Sequence, residues 1–185
     1  EARKTVAAIR QYGGNGVAFR ADLSRASGTS GLVRAVIRHL GGLDILVNNA
    51  AVFAKTPLSA VSERDWNRHL DVNLKGPFFC AVEASRWMRA HGGGIIINIA
   101  DRAATLPYKG YLPYSISKAG VVALTHALAL ELAPTIRVNA VSPGSILFPK
   151  GYPTKLKRQL TERIPLKRLG SPADIARGVI FLIES

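Results

Sequence analysis

Apolar residues recur at helical spacing at Val6, Ala7 and Ile9, and Gly13-Gly14-Asn15-Gly16 then breaks the pattern ahead of Val17-Ala18-Phe19. The spacing predicts a helix over about 1–12, a turn, and a strand over about 17–21. Helical spacing returns at Leu32, Val33, Val36, Ile37 and Leu40, stops at Gly41-Gly42, and gives way to the run Leu43-Asp44-Ile45-Leu46-Val47. The unit recurs. A helical region over about 62–90 leads through Gly92-Gly93-Gly94 to Ile95-Ile96-Ile97-Asn98-Ile99, and a helix over about 113–132 leads to Ile136-Arg137-Val138-Asn139-Ala140-Val141. Runs that are apolar on successive residues suit strands covered on both faces, as parallel strands between helices are. Four strands alternating with helices predict an α/β fold with a doubly wound parallel sheet. Beyond Gly144 the pattern loosens into a Pro- and Lys-rich segment, and 145–170 is expected to be a substrate-binding loop region. A last helix starts at Ser171-Pro172-Ala173-Asp174, with Ser as cap, Pro in the first turn and Asp three residues on.

One length of 185 residues with 48% hydrophobic and 20% charged residues describes a single globular domain, 1–185, and excludes disordered and fibrous classes. The apolar stretch from Val121 to Leu132 is interrupted by Thr125, His126 and Glu131, so no membrane span is expected. A single Cys80, no Cys/His cluster at metal-ligand spacing and no leader-like apolar core at the start point to a cytoplasmic protein without a metal. The net charge of +13 makes anionic partners plausible, with a concentration at Lys150, Lys155, Lys157, Arg158, Arg163, Lys167 and Arg168 opposed only by Glu162. Without interleaved aromatics that concentration does not point to nucleic acid.

A dinucleotide-binding fold opens with a strand and a glycine-rich turn whose amides approach the pyrophosphate. Gly13-Gly14-Asn15-Gly16 stands in the reverse order, after a helix and before a strand. The chain therefore reads as a partial Rossmann-like domain lacking the first βαβ unit and the last strand. The expected strand order then places 17–21 on the far side of a gap from 43–47.

Chemistry gathers at the carboxyl ends of the expected strands, where open α/β sheets bind ligands. Tyr114 and Lys118 lie four apart on one helix face, where the ammonium is expected to lower the phenol's pKa and make it an acid near neutral pH. Asp22 and Leu23 follow the expected strand at 17–21, Asn49, Ala50 and Ala51 follow that at 43–47, and Pro143, Gly144 and Ser145 follow that ending at Val141. Asn73 is a polar amide in a helical stretch that Gly76-Pro77 disturbs. All these positions share one edge of the sheet.

Together they resemble the short-chain dehydrogenase/reductase family over nearly the whole chain. The resemblance implies that Tyr114 is the proton donor, that Lys118 binds the nicotinamide ribose and acidifies Tyr114, and that Asn73 holds a water relaying protons to Lys118. It implies that Asp22, with Leu23, meets the adenine, that Asn49, Ala50 and Ala51 line the adenosine ribose, and that Pro143, Gly144 and Ser145 lie against the nicotinamide. Tetramers commonly form through the helices carrying Asn73 and Tyr114, and the face Val121, Leu124, Leu128, Leu132 suits either that contact or plain core.

One position departs from the family pattern. Thirteen residues before Tyr114, where most members carry Ser, stands Asp101. A carboxylate would repel a developing alkoxide, so Asp101, unless it is protonated, disfavours a simple ketone substrate, and one with ring nitrogens suits it better. Asp101, the stretch Asn49-Ala50-Ala51-Val52-Phe53 and the stretch Gly144-Ser145-Ile146-Leu147-Phe148-Pro149 resemble the bacterial pteridine reductases. That branch implies NADPH as cofactor, a dihydropteridine of the dihydrobiopterin or dihydrofolate type as substrate, protonation by Asp101 and Tyr114, and stacking on Phe53. A Ser that some members carry at the place of Ala51 is absent, as is the wider family's Thr at the place of Phe148. A 3-oxoacyl or sugar-alcohol oxidoreductase, or a catalytically silent fragment, stands as the alternative.

Overall fold

The computed structural model describes residues 2–148 and 151–185. Ten helices and strands of regular length alternate along it. They are α1 (Ala2–Gln11), α2 (Ala26–Leu40), β1 (Ile45–Asn48), α3 (Glu63–Leu70), α4 (Gly76–Ala90), β2 (Gly94–Ile99), α5 (Leu112–Leu132), β3 (Ile136–Val141), α6 (Thr154–Glu162) and α7 (Pro172–Glu184). The strands form one parallel sheet in the order β1-β2-β3, with Val47 beside Ile97 and Ile97 beside Asn139. Parallel register puts all three carboxyl ends at one edge.

Alternation along the strands divides the side chains between two helical layers. Ile96 and Val138 meet Val33 of α2, Ala81, Ala84 and Met88 of α4, and Leu128 and Leu132 of α5 in the core. On the opposite face α7 packs against β2 and β3, and Arg137 donates to the Ile183 carbonyl at 3.0 Å. Helices therefore cover both faces, as the expected doubly wound sheet requires. The amides that β1 and β2 carry on the core side are paired: Asn48 donates to Asn98 Oδ1, and Asn98 donates to Thr125 Oγ1, each at 2.9 Å.

Helix starts follow the capping chemistry in the sequence. Ser62 with Asp65, and Ser171 with Asp174, each form a reciprocal capping box. By length and composition α5 could cross a membrane, yet its Val121, Leu128 and Leu132 are buried against the rest of the protein and its Thr125 bonds Asn98. Leu124 packs against the core too, so the face Val121, Leu124, Leu128, Leu132 is core. The exposed apolar side chains nearby are Trp66 and Phe78, which with Leu74 and Leu124 line a shallow groove.

Two expected elements differ. Residues 17–21 run as irregular chain, not strand, because no strand lies beside them among the described residues and their backbone groups have no ladder to join. The 145–170 region is not all loop, since Thr154–Glu162 forms α6, a helix that buries no residue completely. Pro149 and Lys150 lie outside the described residues.

The turn into β2 leaves no room for a side chain. Gly93 has φ +109°, and a Cβ there would strike the Thr135 carbonyl oxygen. Gly93→Ala should therefore destabilise the fold by about 1–3 kcal/mol, combining backbone strain with the clash. A urea melt reads it, and a midpoint equal to wild type would show that this turn relaxes.

Candidate active site

The edge where the strands end carries a carboxylate held between two tyrosines. After β2 the chain turns at Asp101, whose Oδ1 accepts from the Ala103 amide at 2.6 Å and so caps the short 3-10 turn Arg102–Ala104. The turn is tied to the end of β3 by the Arg102 amide, which donates to the Pro143 carbonyl at 3.0 Å. With its backbone fixed from both sides, Asp101 presents Oδ2 to the Tyr114 hydroxyl at 2.7 Å and Oδ1 to the Tyr108 hydroxyl at 3.1 Å. Asp101 thus pairs with two phenols.

Tyr114 stands in the first turn of α5 and is buried, with 5% of its surface exposed. Burial, then the Asp101 hydrogen bond and charge, push its pKa well above that of an ordinary phenol. This reverses the expected acidification. Lys118 lies on the same helix face, but its Nζ is 6.0 Å from the Tyr114 ring centre and donates to the Ile99 carbonyl at 2.7 Å. The phenol therefore feels the near carboxylate more than the ammonium.

Lys118 is only 3% exposed, and burial lowers its pKa, partly opposed by Asp101. An ammonium has three donors, and one is used on Ile99. Two remain for a ligand with paired hydroxyls such as a ribose. Asn49, Ala50 and Gly144 are exposed at the ends of β1 and β3, and a Cβ at Gly144 would meet nothing within 4 Å. Ala51 is exposed next to them, while Pro143 and Ser145 are half-buried. These residues fit a nicotinamide dinucleotide lying along the strand ends.

Asn73 sits in a π-turn, Asp71–Lys75, that joins α3 to α4. The widened turn brings Asn73 to 1% exposure, where Oδ1 accepts from the Val52 amide at 2.7 Å and Nδ2 donates to the Val52 carbonyl at 3.0 Å and to Ser117 Oγ at 3.0 Å. Its direct partners are thus Val52 and Ser117. Ser117 in turn donates to the Tyr114 carbonyl at 2.7 Å, so Asn73 anchors both the Phe53 loop and the start of α5. Asp22 is exposed and accepts from the Ser24 amide and hydroxyl, which with Arg25 hold its pKa below the usual carboxylate range. Leu23 packs against the core instead of facing outward.

Phe53 stacks on Tyr111 with ring centres 4.6 Å apart and meets Tyr114 edge-on at 4.7 Å, yet remains 45% exposed. The Tyr111 hydroxyl lies 3.4 Å from that of Tyr152, which stacks with Phe148 ahead of α6. Sequence reasoning identified Asp101, Tyr114 and Phe53, which converge here, but missed Tyr108, Tyr111 and Ser117. Ser117 was visible in Tyr114-Ser-Ile-Ser-Lys118, whereas the loop tyrosines carry no spacing that marks them.

A family model described as enoyl-(acyl carrier protein) reductase matches residues 1–185. The chain is 39% identical over 190 residues to the (2S)-[(R)-hydroxy(phenyl)methyl]succinyl-CoA dehydrogenase subunit BbsD of Thauera aromatica, covering 100% of this chain and 76% of that protein. It is 36% identical to the 3-oxoacyl-[acyl-carrier-protein] reductase FabG of Staphylococcus aureus, covering 98% of this chain and 75% of that one. The crystal structure of NAD+-bound xylitol dehydrogenase superposes with a TM-score of 0.90 at 29% identity, covering 98% of this chain and 78% of its own.

Proposed function

The chain belongs to the short-chain dehydrogenase/reductase family of nicotinamide-dependent oxidoreductases, and from that premise we propose that its site reduces a C=N bond of a dihydropteridine, with NADPH as the reductant. The observation that carries the reading is the Asp101 carboxyl at 2.7 Å from the Tyr114 hydroxyl, beside the exposed ring of Phe53. A carbonyl reductase needs a donor where charge builds on oxygen. An ionised carboxylate only accepts. A ring nitrogen instead gains a proton as it is reduced, and a carboxyl next to the proton donor can replace that proton.

The bound cofactor supplies the hydride. The substrate carbon gains that hydride, the π pair of C=N moves to nitrogen, and nitrogen forms its new N–H bond with the Tyr114 proton. The Tyr114 oxygen takes up the Asp101 carboxyl proton, which leaves a carboxylate and a neutral phenol. Because burial opposes a phenolate at Tyr114, the acid consumed overall is the carboxyl.

Lys118 would hold the nicotinamide ribose with its two remaining donors, Asn49, Ala50 and Ala51 the adenosine ribose, and Pro143, Gly144 and Ser145 the nicotinamide. Asp22 would take the adenine amino group on Oδ2, the oxygen that Ser24 leaves and that Arg25 Nε approaches at 3.5 Å. Assembly as a homo-tetramer through α4 and α5 goes with this reading. NADPH-dependent turnover should be faster with dihydrobiopterin than with an acetoacetyl thioester. The opposite order would overturn the pteridine reading in favour of a 3-oxoacyl substrate.

A further inference from the structure

Asp101 has a third donor that the proposed reaction leaves unused. An ionised carboxylate offers about four lone-pair directions, two on each oxygen. Oδ1 has both filled, by the Ala103 amide at 2.6 Å and the Tyr108 hydroxyl at 3.1 Å, whereas Oδ2 has only Tyr114. Tyr108 is half-buried, and its ring lies under the Arg102 guanidinium, 5.5 Å from its centre. The hydroxyl is thus carried by a ring packed under Arg102, on the carboxyl oxygen that Tyr114 does not touch.

We infer that Tyr108 is a positioning residue that locks the Asp101 carboxyl so that Oδ2 alone serves Tyr114 and offers one open acceptor direction to the substrate. The inference rests on the acid role given to Asp101 above. Without the Tyr108 hydroxyl the carboxyl can rotate about its last bond, which weakens its alignment with Tyr114. The other charged or titratable groups facing Asp101 are Arg102 from its own turn and Tyr114 and Lys118 from α5, and all stay in place.

Tyr108→Phe removes the hydroxyl and keeps the ring beneath Arg102. Its kcat should fall several-fold while KM for NADPH stays unchanged, because the hydroxyl orients the carboxyl and does not hold the cofactor. Tyr108→Leu removes the ring as well and should show at least the same fall in kcat. A readout independent of turnover is the NMR signal of the Asp101 carboxyl carbon at one fixed pH in labelled protein, assigned through Asp101→Asn. That signal should move in both variants, since the carboxyl loses a direct hydrogen bond. An unmoved signal in a variant whose melt shows it folded would overturn the inference. A moved signal in a protein that does not reduce dihydrobiopterin would overturn the pteridine reading and leave the inference standing.

Discussion

Tyr114→Phe lowers reductase turnover by roughly two to four orders of magnitude, the usual cost of losing a positioned acid, and leaves the fold intact. The ring remains in its buried place against Phe53, with which it makes an edge contact at 4.7 Å. Only the hydroxyl goes, and with it the 2.7 Å bond to Asp101 Oδ2. Asp101 keeps the Ala103 amide and the Tyr108 hydroxyl, so its charge is not stranded. Steady-state kinetics with a circular-dichroism melt on the same preparation separates the two effects. Turnover within tenfold of wild type would exclude Tyr114 as the atom that hands over the proton.

Parts of the fold that bury apolar faces were legible in the sequence. Ile95 to Ile99 reads as a covered strand because α4 and α5 lie on one side of β2 and α7 on the other. What failed depended on partners. Val17, Ala18 and Phe19 have strand-like character, but a strand is defined by its ladder, and here the chain passes no neighbouring strand. Helix α6 buries no residue completely, so its Leu156 and Leu160 among lysines gave no strong periodic signal. The disturbance near Gly76-Pro77 is a π-turn just before them, and it is this extra turn width that brings Asn73 inward to Val52 and Ser117.

At the site, composition and spacing located the groups but not the electrostatics. The i, i+4 relation correctly put Tyr114 and Lys118 on one face. It could not show that Lys118 donates to the Ile99 carbonyl, or that the nearest charge to the phenol is negative. That carboxylate was legible as an identity, Asp101 in place of Ser. Its consequence for Tyr114 needed the distance.

Asp101→Ser should cut dihydropteridine reduction by roughly two to four orders of magnitude, because the hydroxyl that replaces the carboxyl cannot deliver a proton at neutral pH. The same change should raise activity on an activated ketone by about tenfold or more, since a hydroxyl donates to a developing alkoxide where a carboxylate repels it. Removing the charge also takes away the Asp101 hydrogen bond and charge that help hold the Tyr114 pKa up, leaving burial and the neighbouring Tyr108, so Tyr114 becomes the stronger acid in the variant. Ketone reduction by the variant should therefore depend on the Tyr114 phenol as its acid. Asp101→Asn provides the contrast, for its amide preserves size and can still meet the Tyr114 and Tyr108 hydroxyls but carries no transferable acid proton. It should lose pteridine turnover as severely as the Ser variant. If either variant reduced the pteridine at the wild-type rate, the proton would have to come from elsewhere, and the carboxyl beside Tyr114 would be a structural cap on the Arg102–Ala104 turn and nothing more.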